Sequence, residues 1–183
     1  IIDSLMNMPL LYWASLETGD QTYHQAAHRH TLQVCNHFIR PDQTTFHTYY
    51  FDVSTGAGLY GRTAQGAFDD SCWARGQAWG IYGFALNYRY TGDMTLLETA
   101  CRLADYFLAK LPDDKVAYWD LIFGEGSGEE RDSSAAAIAA CGLMEIASLL
   151  PPGSAQAGTY HTMALKIMTS LAGNYTSIKQ VTS

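Results

Sequence analysis

Two short runs, Glu17-Thr18-Gly19-Asp20 and Tyr90-Thr91-Gly92-Asp93, each close one stretch of helical periodicity and open another. Glycine reaches the left-handed conformation that ends a helix, and the aspartate after it can cap the next one. Pro151-Pro152-Gly153-Ser154 makes a third stop of the same kind. Apolar residues at helical spacing predict helices over roughly 3–17, 21–39, 72–90, 94–110, 133–149 and 155–173. The chain therefore reads as three helical hairpins with long connections between them.

The two helices of a hairpin differ. The first is rich in aromatic or small residues, as in Trp13, the stretch from Trp79 to Tyr90, and the alanines from 135 to 140. The second is more amphipathic. That asymmetry predicts two concentric layers, with inner helices buried on most sides and outer helices facing water. The expected fold is all-α: an incomplete (α/α)6 toroid or barrel, forming one partial catalytic domain over 1–183. Three hairpins are half of a six-hairpin ring, and the chain opens at Ile1 rather than Met. A piece of a larger barrel, lacking N- and C-terminal parts, is the expectation.

The 40–71 connection is not helical in character. Thr45-Phe46-His47-Thr48-Tyr49-Tyr50-Phe51 is β-branched and aromatic, and Ser54-Thr55-Gly56-Ala57-Gly58 supplies turn residues, so a short β-hairpin is expected. Connections of this length often line a site.

Composition narrows the function. With 48% hydrophobic residues the chain can build a core. No apolar run reaches the roughly 20 residues of a membrane span. A net charge of −7 argues against a nucleic-acid partner. Cys35, Cys72, Cys101 and Cys141 show no CxxC spacing and read as buried, reduced thiols. A cytoplasmic location follows, with the periplasm as the alternative.

The densest chemical cluster is Ser71-Cys72-Trp73-Ala74-Arg75-Gly76-Gln77-Ala78-Trp79-Gly80. Ser71 is expected to cap the helix, leaving Trp73 in its first turn. Arg75 and Trp79 share one face, where a guanidinium can bind a carboxylate while a sugar ring packs on indole. The plainer reading is a packed aromatic helix with a structural arginine. His24 and His28 have metal-ligand spacing, with His30 nearby, but no carboxylate is expected on that face, so they read as solvated. Gly124-Glu125-Gly126-Ser127-Gly128 lacks the lysine of a phosphate loop. Arg131-Asp132-Ser133-Ser134 reads as a helix cap with a structural salt bridge.

The run from Trp73 to Gly83, WARGQAWGIYG, resembles the signature of glycoside hydrolase family 88, the unsaturated glucuronyl hydrolases. Ile2-Asp3-Ser4-Leu5-Met6-Asn7, His47, Thr63-Ala64-Gln65-Gly66, Trp119-Asp120 and Arg131-Asp132-Ser133-Ser134-Ala135 continue the similarity in order. The resemblance implies an (α/α)6 barrel. It also implies a second pocket carboxylate in an absent N-terminal third. Related unsaturated rhamnogalacturonyl hydrolases typically carry Asn-Gly where this chain has Gln77-Ala78, and are the second choice. A non-catalytic carbohydrate-binding fragment is the third.

The implied substrate is a lyase-generated oligosaccharide, such as a glycosaminoglycan-derived disaccharide, ending in a Δ4,5-unsaturated glucuronic acid. Its C4=C5 bond is a vinyl ether. Protonation at C4 leaves positive charge at C5 that the ring oxygen shares, and water adds there. One carboxyl can give the first proton and take the second. By resemblance that residue is Asp3, although by sequence alone it could simply cap a helix. His47 and Gln65 are implied to contact the unsaturated sugar, and Trp73, Arg75 and Trp79 to form the pocket wall. Neither cofactor nor metal is implied.

Overall fold

The computed structural model describes residues 1–176. The end of the expected 1–183 domain, from 177 onward, lies outside the described residues. The chain begins with a 3-10 turn, Ile2–Asn7, and continues into α1 (Met8–Thr18). α2 (Gln21–Phe38) completes the first hairpin. β1 (Thr48–Phe51) and β2 (Gly58–Arg62) pair antiparallel, with a register shift between Tyr50 and Phe51. α3 (Ala74–Thr91) and α4 (Met94–Ala109) form the second hairpin, and α5 (Ser133–Leu149) and α6 (Ala155–Asn174) the third. This is the incomplete α/α toroid with a short two-stranded insert.

The repeated stops work as their chemistry dictates. Gly19 and Gly92 take φ of 74° and 68° and end α1 and α3. Asp20 and Asp93 then accept hydrogen bonds from the Thr22 and Thr95 amides to open α2 and α4. Asp132 and Ser154 cap α5 and α6 in the same way, from Ala135 and Ala157. Each such cap contributes about 1 kcal/mol.

The first helix does not start where periodicity alone places it. Pro9 has no N–H to give the Leu5 carbonyl, so an α-helical bond is missing there. The buried Asn87 of α3 donates to that carbonyl instead, at 3.2 Å. The preceding residues tighten into the 3-10 turn, whose period of three puts Ile2 and Leu5 on one fully buried side. Asn87 also accepts a hydrogen bond from Thr31 of α2, which ties the turn to both hairpins.

α3 is the centre of the core. Ala74, Ala78, Ile81, Phe84 and Ala85 on α3, Leu103 and Phe107 on α4, and Ala135, Ala136, Ala139 and Leu143 on α5 are all buried. Close approach is enforced by glycine: a Cβ on Gly142 would stand 2.9 Å from the Tyr82 amide nitrogen. α3 and α5 thus fit the expected inner layer. α1 fits it less well, because Leu10, Trp13 and Leu16 are exposed. Only Met8, Tyr12 and Ser15 of α1 are buried, with Tyr12 stacked on Tyr90.

Ser71 is not the cap of α3. Its hydroxyl turns to Asp120, and Trp73 precedes the first helical residue. Of the cysteines, all free thiols, Cys72 and Cys101 are buried, whereas Cys35 is half-buried and Cys141 is exposed. No helix among the described residues is long and apolar enough to cross a membrane.

Candidate active site

Asp3 is held by its neighbours in the 3-10 turn. The Ile2 amide donates to the His47 carbonyl at 3.0 Å, and the Ser4 hydroxyl lies 2.7 Å from His30 Nε2. Leu5 packs so closely on α3 that a Cβ at Gly83 would stand 2.5 Å from its own Cβ. These anchors turn the Asp3 carboxyl toward the connection between α2 and α3. Its Oδ2 is shielded from solvent and has no hydrogen-bond partner, and the nearest cationic candidate is His47 Nε2 at 3.8 Å. That gap suits a shared water or substrate hydroxyl better than a direct bond.

His47 directly precedes β1 and is 5% exposed, so it is not a histidine displayed on the surface of a hairpin. Its Nδ1 accepts a hydrogen bond from the Ala64 amide at 3.2 Å. The neutral ring must then carry its proton on Nε2, the nitrogen facing Asp3. Burial pushes the imidazole below its ordinary pKa of 6.5, with the Asp3 carboxylate opposing that shift. Above about pH 6.5 the contribution of His47 to stability is full. As pH falls through 6.5 toward the depressed folded value, the unfolded chain takes up the proton first, and stability is lost. An NMR titration of His47 is expected to show a midpoint below 6.5, and a midpoint above it would contradict this placement.

The other ring face of the site is Trp73, 4% exposed, with its centroid 4.4 Å from that of His47. The Arg75 guanidinium lies 5.2 Å from the Trp73 ring. Arg75 does not reach Asp69 or Asp70. Its Nε and Nη2 both lie 3.1 Å from Asp132 Oδ2, the buried carboxylate that caps α5. The expected structural salt bridge in the 131–134 run therefore has Arg75 as the partner of Asp132, while Arg131 faces Asp114 at 3.4 Å. The Arg75 side chain remains 40% exposed, so part of its hydrogen-bonding edge is open to a ligand.

Asp3, His47, Trp73 and Arg75 thus form a continuous series from carboxyl to guanidinium. Gln65 is exposed and follows Ala64, whose amide holds His47. Trp79 lies one turn beyond Arg75 and is half-buried against the main core. An apolar groove of about 430 Å³ between α2 and β1 includes Ser4 and His30 but neither Asp3 nor His47.

Two expectations for the α2 histidines need revision. A carboxylate does face His28: Asp93, the cap of α4, lies 3.2 Å from its Nε2. His24 packs edge-on against Tyr12. Among the described residues no group of three metal-ligating side chains gathers.

No role is expected for Asp120 from the sequence. It is fully buried and accepts from the Ala67, Cys72 and Ile122 amides and the Ser71 hydroxyl. The available signal was a lone acid in the apolar run from Val116 to Phe123.

The family model for Glycosyl Hydrolase Family 88 matches residues 2–181. The unsaturated glucuronyl hydrolase of Bacillus sp. GL1 is 48% identical over 96% of this chain. Its crystal structure superposes with a TM-score of 0.93 over 95% of this chain and 46% of that one. The unsaturated chondroitin disaccharide hydrolase of Streptococcus pyogenes serotype M1 is 47% identical, covering 96% of this chain and 44% of its own length. A mutant unsaturated glucuronyl hydrolase from Streptococcus agalactiae, complexed with dGlcA-GalNAc6S, is 45% identical over 95% of this chain and 46% of that one, with a TM-score of 0.86. The chain spans about half the length of the relatives it matches.

Proposed function

Because this chain belongs to glycosyl hydrolase family 88, we propose that the whole protein removes Δ4,5-unsaturated glucuronic acid from the non-reducing end of lyase-generated oligosaccharides, with Asp3 as general acid and base. The observation that carries this reading is the partner-free, solvent-shielded Asp3 oxygen beside a histidine that presents N–H toward it. A carboxyl that gives a proton to carbon must not have that proton committed to another acceptor, and Asp3 Oδ2 has no such commitment.

The chemistry follows from the substrate. Protonated Asp3 donates to C4, the C4=C5 π pair forms the new C–H bond, and the charge left at C5 is shared by the ring oxygen. The Asp3 carboxylate then takes a proton from a water whose oxygen bonds to C5. The resulting hemiketal opens and the sugar partner is released. This sequence differs from displacement at the anomeric carbon between two flanking carboxylates. His47 and Gln65 contact the unsaturated sugar in this reading. Trp73 backs His47, and Arg75, steadied by Asp132, offers its open edge to an anionic group on the substrate or its neighbour. Trp79 extends the wall one turn further along α3.

The substrate class is a glycosaminoglycan-derived disaccharide. The names of the relatives support it: one is a chondroitin disaccharide hydrolase, and the Bacillus enzyme is described as responsible for degradation of glycosaminoglycan. Free thiols throughout support a cytoplasmic location.

A substrate panel tests the proposal. The whole protein is incubated with an unsaturated chondroitin disaccharide and an unsaturated rhamnogalacturonan disaccharide, and the ultraviolet absorbance of the conjugated double bond is followed. The expected result is loss of absorbance with the first at least tenfold faster in kcat/KM, a discrimination of about 1.4 kcal/mol. Preference for the second would move the protein to the rhamnogalacturonyl class. Binding of either without turnover would make it a carbohydrate-binding protein.

A further inference from the structure

We propose that Asp120 is a positioning residue for the hydration step, acting through the 63–72 loop on the tautomer of His47. The proposal rests on the functional reading above. Asp120 is a fully buried carboxylate that receives only amide and hydroxyl donors: Ala67 N–H at 3.0 Å and Ser71 Oγ–H at 2.5 Å on Oδ2, and Cys72 N–H and Ile122 N–H at 3.2 Å on Oδ1. Burying a carboxylate is costly unless its lone pairs are filled, so this arrangement is highly specified. Every donor except Ile122 comes from the loop or its junction with α3.

The loop is wrapped on this carboxylate. A Cβ at Gly66 would stand 2.7 Å from Thr63 Oγ1, 2.9 Å from Ser71 Oγ and 3.1 Å from Asp120 Oδ2, leaving no room for a side chain. Arg40 holds the same segment from the end of α2, donating to the Ser71 and Asp69 carbonyls. At the other end the Thr63 amide donates to Asp69, and the Gly66 amide donates to the Thr63 hydroxyl at 2.7 Å. Ala64 lies between these fixed points, and its amide has one direction left, toward His47 Nδ1.

That amide decides which ring nitrogen carries the proton. While it donates to Nδ1, the neutral imidazole keeps its N–H on Nε2, facing the Asp3 carboxyl across 3.8 Å. If the loop lifts, the Nδ1–H tautomer becomes accessible, and the side facing Asp3 turns from donor to acceptor. Asp120 touches neither Asp3 nor His47. Its influence runs through the backbone between Ala67 and Ala64.

The test is Asp120→Asn in the whole protein, compared with wild type in two measurements. The carboxamide must point an N–H at one of the amide donors, so the loop loses at least one anchor. The expected result is a fall in kcat of about 10²-fold with KM within about threefold, the size expected for a small displacement of catalytic geometry. In the second measurement, ¹⁵N NMR of the histidine rings is expected to show a bare Nδ1 at His47 in wild type and a mixture of tautomers in the variant, the His47 signals being assigned by their loss in His47→Gln. A role limited to stability would lower Tm but leave both kcat per folded enzyme and the tautomer unchanged, and that pair of results would overturn the proposal. If Asp120→Asn does not fold, Ser71→Ala decides by the same two readouts. Removing that one donor is expected to give a decrease of about 5–10-fold in kcat with a partial tautomer shift, and an unchanged kcat and tautomer would again overturn it. If wild type shows no turnover of the unsaturated disaccharide, the functional reading fails by itself, and the tautomer comparison still judges the link from Asp120 to His47.

Discussion

Replacing Asp3 by Asn in the whole protein is expected to lower kcat for an unsaturated glucuronyl disaccharide by about 10²- to 10⁴-fold, the range that general acid–base catalysis supplies. The substitution is close to isosteric, and Oδ2 has no hydrogen-bond partner to lose. The anchors of the turn are the Ile2 amide, the Leu5 carbonyl and the two buried apolar side chains, none of which the change touches. Tm and KM should therefore stay near wild type while the chemical step disappears, the mark of an interaction used only in the transition state. An amide cannot protonate C4, nor can it take a proton from water. Absorbance decay within tenfold of wild type would remove Asp3 from the role and direct attention to another acid.

The second large effect concerns the scaffold. Gly142→Val on α5 is expected to destabilise the protein by about 3 kcal/mol or more, because overpacking a closed helix contact has no inexpensive relaxation. The new Cβ alone would stand 2.9 Å from Tyr82 N and 3.0 Å from Tyr82 Cα, atoms of the α3 backbone. A side-chain tip could swing aside, but a helix backbone must move as a unit and would carry Arg75 and Trp79 with it. A drop in Tm of roughly 6–12 °C should result if the transition is two-state. The control is Gly158→Ala on α6, where nothing lies within 4 Å of the new Cβ. Helix propensity there favours alanine by up to about 1 kcal/mol, so Tm should hold or rise. Equal effects at the two sites would mean that the α3–α5 contact is looser than described.

The helices were legible in the sequence because their information is local. Gly19 and Gly92 mark left-handed stops, and the aspartates beside them mark starts, so periodicity and capping chemistry sufficed to find α1 to α4. Pro9 was equally visible, but its consequence was not. Whether a lost helical bond produces a kink, a fray or a 3-10 turn depends on what meets the freed Leu5 carbonyl, and the answer is Asn87, 82 residues away.

The site divides along the same line. The proximity of Asp3, His47, Trp73 and Arg75 could be expected from a family resemblance, not from spacing, since Asp3 and His47 lie 44 positions apart with α1 and α2 between them. The partners that fix these side chains were not legible at all. Asp132 reads as a cap from its place before Ser133, and it is one. Its second task, holding Arg75, exists only because α3 and α5 pack side by side. His28 gave the same lesson in reverse, because Asp93 belongs to the next hairpin. Asp120 illustrates the general limit: a buried carboxylate held by three backbone amides and one serine hydroxyl has no cationic partner in the sequence to search for.

A crystal structure of the Asp3→Asn whole protein with an unsaturated glucuronyl disaccharide would decide whether residue 3 is the proton donor. The sugar should lie against Trp73 and His47, with C4 about 3–3.5 Å from the residue 3 side chain, the separation of a productive encounter. A sugar seated with C4 facing a different acid, or with residue 3 nearer the anomeric carbon than C4, would contradict hydration of the double bond by Asp3.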